Sequence, residues 1–176
     1  GNALTIPVRH WLPAAGCVNA TAGSIWDLPT SSPAVAACRT GTNTQKGVLR
    51  FADGSNLSAQ ITYKLPSTWT GAVDANIEWQ DDNTGSGDVV WQLATACVAD
   101  AASDDPSFNT ASTVTDTSKA FANQRNTATI TGLTMTGCDA GEMLYLKISR
   151  DSGHASDNST ETADLVGVEL VVREAL

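Results

Sequence analysis

From Lys46 onward, apolar and polar side chains alternate in short runs. KGVLRFA sets Leu49 and Phe51 on one face. LSAQITYKL sets Ala59, Ile61, Tyr63 and Leu65 against Ser58, Gln60, Thr62 and Lys64. AVDANIEWQ sets Val73, Ala75, Ile77 and Trp79 against Asp74, Asn76, Glu78 and Gln80. DVVWQLATACV groups Val89, Trp91, Leu93 and Cys97, and EMLYLKISR groups Leu144, Leu146 and Ile148. LVGVELVVRE groups Val166, Val168, Leu170 and Val172. A period of two marks a half-buried strand, because successive side chains leave opposite faces of the backbone. TVTDT and the Thr-rich NTATITGLTM add shorter strands, and ALTIPVRHW (Ala3–Trp11) supplies a first one with Pro7 marking an edge. In PSTWTG, Pro66 stops one strand and Gly71 relaxes the backbone before the next, which places Trp69 in a turn. Trp79 and Trp91 fall on the inward faces of strands expected to be neighbours, joined by the hairpin loop DDNTGSG.

Leu12–Gln45 breaks the pattern. It is dense in Pro, Gly, Ser, Thr and Ala, and reads as a long ordered loop that Ile25, Trp26 and Leu28 tie down. Only DPSFNTASTV leaves room for a helical turn. About eight strands without a linker predict an all-β fold, a two-sheet antiparallel β-sandwich of jelly-roll-like form. The chain of 176 residues then forms one domain: an arm over 1–11, the loop segment over 12–45 and the sandwich core over 46–176. Ser and Thr make up about a fifth of the residues and charged side chains only 16%, which suits such a fold.

Charge narrows the partners. At a net charge of −9 the surface repels phosphate backbones and anionic headgroups, so neither nucleic acid nor a membrane is an expected partner. No apolar run is long enough to span a bilayer. The start GNALTIPV carries no signal-peptide pattern and is compatible with a processed mature end, an engineered end or a cytosolic start after loss of Met. Cys17, Cys38, Cys97 and Cys138 form no CxxC, which disfavours zinc and thioredoxin-type chemistry. Of the three pairings, Cys17–Cys38 and Cys97–Cys138 are favoured: one ties down the N-terminal segment, the other joins a strand end to the loop TGCDAG. Four buried free thiols are the alternative. Disulfides would indicate an extracellular location.

Catalytic chemistry is thin. His10 and His154 have no metal-ligand spacing, and no GxSxG elbow is present. The carboxylates Asp74, Glu78, Glu142 and Glu169 could be paired as in a glycosidase, but acids on an outward sheet face are ordinarily solvated. No cofactor is expected. DDNTGSGD gathers Asp81, Asp82 and Asp88 as weak calcium candidates without EF-hand spacing. Trp11, Trp26 and Trp69 lie in or beside loops. An exposed one would serve as a glycan-stacking platform or as an anchor at a subunit interface. Triplets at Asn19, Asn56 and Asn158 would accept N-glycans only in a secretory eukaryote.

The succession SIWDLP, GVLRFADG, LPSTWTGAVDANIEW, GDVVWQLATACV, TVTDT, TGCDAGEMLYLKISRD and VGVELVVRE resembles a group of small jelly-roll proteins found among bacteriophage virions and uncharacterised bacterial proteins. The resemblance covers most of the chain from Ser24 and contains no catalytic residue to transfer. It implies a non-enzymatic structural subunit of an extracellular assembly, a capsid decoration or tail-associated protein. Such a subunit contacts itself or neighbouring virion or fibre subunits, and its first strand could add to another subunit's sheet. The alternative is a carbohydrate-binding module, and a subunit of a secreted bacterial fibre is a further one.

Overall fold

The computed structural model describes residues 4–176. Gly1 and Ala3, the chain start and the first residue of the expected first strand, lie outside the described residues. Twelve strands and no helix occur among those described. In chain order they are β1 (Thr5–Pro13), β2 (Ala15–Val18), β3 (Thr21–Ser24), β4 (Val35–Thr40), β5 (Gln45–Phe51) and β6 (Ser58–Lys64). They continue with β7 (Trp69–Asp81), β8 (Asp88–Val98), β9 (Ser112–Thr117), β10 (Asn126–Ile130), β11 (Met143–Arg150) and β12 (Ala163–Ala175). Every named pairing is antiparallel, in two sheets that pack as a jelly-roll-like sandwich. The larger runs β10-β7-β12-β5-β2-β3, with β1 also on β12 and β4 also on β5; the smaller runs β6-β11-β8-β9.

The core lies between the sheets, where the inward sets predicted from alternation meet. Val73, Ala75, Ile77 and Trp79 face Val89, Trp91, Leu93, Leu144, Leu146 and Ile148, all essentially solvent-free. Trp79 and Trp91 belong to opposite sheets rather than to neighbouring strands of one hairpin. The segment between them therefore carries the chain from one layer to the other. Their rings meet edge-on at 6.1 Å, and Phe51 meets Trp91 edge-on at 5.1 Å, the geometry that sets a positive ring edge against a negative face. The Trp79 indole N–H donates to Asp116 at 2.7 Å, so the buried polar tip is satisfied.

Other expectations also need correction. The segment expected as a loop over 12–45 contains β2, β3 and β4. Its strands are short, and AGCV, TAGS and VAACRT carry no hydrophobic alternation to read. The turn between β2 and β3 places both Asn19 and Ala20 at positive φ, the conformation of a tight two-residue hairpin, although Ala is an unusual choice there. Trp69 opens β7 instead of sitting in a turn. Gly71, at φ 74, lies two residues inside that strand, where the pairing with β12 slips between Val172 and Glu174. DPSFNTASTV forms no helical turn; its end becomes β9.

The last strand is also irregular. Its register against β7 shifts between Leu165 and Gly167, which inserts one extra residue at Val166. Ala163 and Leu165 join the core before the shift, and Val168, Leu170 and Val172 join it after. Val166, expected among the inward set, is not part of that cluster because it is the inserted residue.

Both favoured disulfides are present. Cys17–Cys38 ties β2 to β4, and Cys97–Cys138 ties the end of β8 to the loop before β11. Each is worth about 2–4 kcal/mol against the unfolded chain. The two disulfides are those of a chain that matures in an oxidising, extracellular setting. Arg150 does comparable work for the loop that follows it. Its fully buried guanidinium donates to Asp157 at 2.7 and 3.0 Å, to the carbonyls of Ser159 and Glu161 at 2.5 and 2.6 Å, and to that of Phe51 at 3.3 Å. The Asp157 carboxylate in turn accepts the Val90 N–H at 2.9 Å. Removing the guanidinium strands a fully buried carboxylate. Arg150→Ala is expected to lower stability by about 3–5 kcal/mol in urea unfolding; a loss below about 1 kcal/mol would show that water replaces the guanidinium there.

Candidate functional site

The outer face of the larger sheet is polar where its inner face is apolar, as the alternation of β7 dictates. Its centre is a rung that crosses four strands: Trp11 pairs with Glu169, Glu169 with Asn76, and Asn76 with Thr129. At ordinary strand spacing this rung spans roughly 15 Å. The adjacent rung is Pro13, Gly167, Glu78 and Thr127.

Trp11 is 46% exposed. Its six-membered ring lies against Gly167: a Cβ at residue 167 would sit 2.5 Å from both Cη2 and Cζ2 of the indole. A side chain there would push the ring off the sheet. The glycine therefore lets the indole approach the strand closely while nearly half of the residue stays open to solvent.

Beside the indole, polar side chains hold one another in place. Asn76 donates to Glu169 at 2.9 Å, Arg9 donates to the same carboxylate oxygen at 2.6 Å, and Thr129 donates to the side-chain amide oxygen of Asn76 at 2.8 Å. Thr127 donates to Glu78 at 2.9 Å, and Arg125 approaches the other Glu78 oxygen at 3.4 Å. Arg173 donates to Asp74 at 2.8 Å, and the Gly132 N–H donates to its second oxygen at 2.8 Å. The Asn76 hydrogen bond, with that of Arg9, holds Glu169 below the usual carboxylate range. Burial pushes Asp74 upward, but the Arg173 and Gly132 hydrogen bonds outweigh it and leave its carboxyl low. Glu169 and Asp74 are thus ionised, oriented and able to accept further hydrogen bonds.

The other two tryptophans of the sequence reading lie elsewhere. Trp26 is buried, and its N–H donates to the Pro13 carbonyl at 3.1 Å, which latches the segment before β4 onto the end of β1. Trp69 is half-buried against the core. The carboxylates Asp74, Glu78 and Glu169 come together on this face, each bound to its own cation; Glu142 accepts the Asp139 N–H in a distant turn at 2.9 Å. Gly167 was not singled out by sequence reasoning, although a lone glycine inside a strand pattern is a known mark of close approach.

The calcium candidates are drawn apart. Asp81 is buried and accepts a hydrogen bond from Ser118; Asp82 pairs with Arg50 at 2.5 Å; Asp88 accepts from Thr117 at 2.6 Å. Among the described residues, no three His, Cys, Asp or Glu side chains converge as metal ligands. His10 lies within β1 with its ring tilted against that of Tyr63 at 5.0 Å, and His154 accepts the Ser156 N–H in a loop turn.

No family model and no curated protein matches the chain. Solved structures do. An Arthrobacter globiformis T6 isomalto-dextranase complexed with panose aligns at 13% identity and a TM-score of 0.51, over 93% of this chain and 23% of that one. This chain thus spans under a quarter of that protein, and the likeness is one of fold. The family 11 carbohydrate-binding module of Clostridium thermocellum aligns at 10% identity and a TM-score of 0.47, covering 96% of each chain. The CBM22-1 xylan-binding domain of Paenibacillus barcinonensis Xyn10C aligns at 9% identity and a TM-score of 0.46 over the whole of both.

The buried Asp81 gives the domain a pH dependence. Burial, joined by the nearby charges of Glu161 and Asp82, raises its carboxyl to about 6. A raised acid favours the fold in its protonated form, and that contribution is lost as pH climbs through about 6. Asp81→Asn is therefore expected to raise the thermal midpoint at pH 8 and to have little effect at pH 4. A variant equally changed at both pH values would remove Asp81 as the cause.

Proposed function

We propose that the chain is a non-catalytic carbohydrate-binding module whose site is the Trp11 face of the larger sheet. The observation that carries this reading is the exposed indole, packed against Gly167 at the end of a rung of ordered acceptors and donors. A pyranose presents a flat C–H surface and a perimeter of hydroxyls. The indole matches the first, and Glu169, Asn76, Glu78 and Thr129 match the second. The three carboxylates and three guanidiniums of this face balance, on a chain of net charge −9, so the ligand it suits is a neutral glycan. Trp11, Asn76, Glu78, Thr129 and Glu169 all lie on strands, which supports pre-organised binding.

In affinity electrophoresis and fluorescence titration, neutral glucans and xylans are expected to retard the protein and quench its tryptophan emission. Trp11→Ala should weaken that binding by roughly 30-fold or more, as for a central aromatic anchor. Unchanged affinity in Trp11→Ala would overturn the assignment of the site.

The structural-subunit reading would use the edge of β1, which among the described residues pairs with β12 alone. A virion or fibre subunit that adds this strand to a neighbour would self-associate, and deleting residues 1–8 would weaken the association. The glycan module is expected to stay monomeric by light scattering across concentration; a trimer or a growing polymer would favour assembly instead.

A further inference from the structure

The smaller sheet has a groove on its own outer face. It holds about 550 Å3, within the range of small-ligand sites. Its floor comes from two rungs: Lys64, Met143 and Val98, then Thr62 and Tyr145. Its wall is the loop after β8, which brings Asp100 and Asp104 to the lining. Tyr145 donates its hydroxyl to Asp104 across the groove.

The wall is anchored, so the groove is formed without a ligand. Asn109 donates its N–H to the Thr95 carbonyl at 2.8 Å and its amide to the Thr136 carbonyl at 2.9 Å. Lys147, two residues beyond Tyr145, places its ammonium 4.8 Å from the centre of the Phe108 ring. The Cys97–Cys138 disulfide fixes the base of the same loop.

The lining states what it would take. Tyr145 and Met143 offer an aromatic and a polarisable surface beside two carboxylates, a hydroxyl and an ammonium. The Tyr145 hydroxyl is pushed up by its bond to Asp104, and the charges of Asp104, Asp105 and Asp27 add to the effect. A field of that sign repels sulfated, phosphorylated and uronic ligands. Vicinal hydroxyls suit carboxylate acceptors, and the groove is sized for a small ligand rather than for a protein interface.

We propose that this groove is a second site for a neutral glycan chain, on the face opposite Trp11, so that one domain can hold two chains and cross-link them. The proposal rests on the glycan reading of the chain. Opposed sites on a rigid sandwich convert a modest affinity into retention on a polymer network.

The chain has two methionines, Met135 and Met143. Met143 lines the groove, and Met135 packs against the core. Methyl-labelled methionine and the tryptophan indole N–H therefore report on the two faces separately by NMR. Titration with neutral glucose and xylose hexasaccharides is expected to shift the Met143 methyl saturably, in the wild type and in Trp11→Ala alike. Tyr145→Ala should weaken that shift by roughly tenfold or more while the Trp11 signal still responds. A Trp11 response with Met143 unmoved would overturn the second site alone. No response at either reporter would overturn both sites for neutral glycans. A uronic hexasaccharide that moved Met143 as strongly as the neutral ones would overturn the stated chemistry.

Discussion

Between Leu165 and Gly167 the last strand carries one residue more than its partner β7, and the order of the rest depends on that insertion. A strand with strict alternation would continue the inward set from Leu165 to 167, 169 and 171. It would then put Glu169 into the core and Leu170 into solvent. The bulge reverses the parity, so Val168, Leu170 and Val172 pack inward while Gly167, Glu169 and Arg173 face out. Since β12 pairs with β7 on one side and with β5 and then β1 on the other, its register sets that of the larger sheet.

Gly167 is the point where this constraint reaches the surface. It is the first residue past the bulge, and its missing side chain gives the Trp11 indole a place to lie. The neighbouring rungs supply acceptors and donors that already satisfy one another, which orients them without consuming their remaining lone pairs. The same alternation that makes one side of β7 core makes the other a row of Asp74, Asn76 and Glu78. Core and candidate site are two faces of one pleat.

The loops are held by a different means. Where the sandwich ends, small strands and long connections have little apolar area to bury, and covalent and ionic ties take over. Cys17–Cys38 secures the β2–β3 hairpin to β4, Cys97–Cys138 secures the wall of the second groove, and Arg150 gathers a carboxylate and two carbonyls of the loop that follows it together with the distant Phe51 carbonyl. A buried guanidinium tolerates such a position only when its donors are filled.

By itself the sequence determined the architecture class, because period-two runs such as AVDANIEWQ and EMLYLKISR admit no other burial than a strand with one dry face. It also pointed to both disulfide pairings, and it named Trp11 without saying which of three tryptophans would remain exposed. The tertiary structure alone decided that choice. Trp26 found a carbonyl and a buried slot, Trp69 became the first residue of a strand, and Trp11 met a glycine. It alone also decided that the Trp79 and Trp91 strands lie in opposite sheets, that Ala- and Gly-rich segments near the N-terminus pair as strands, and that Val166 is a bulge. The physical reason is common to these cases. Alternation records which side of a strand is dry, whereas register, sheet order and close approach are set by residues distant in sequence, whose meeting leaves no local pattern.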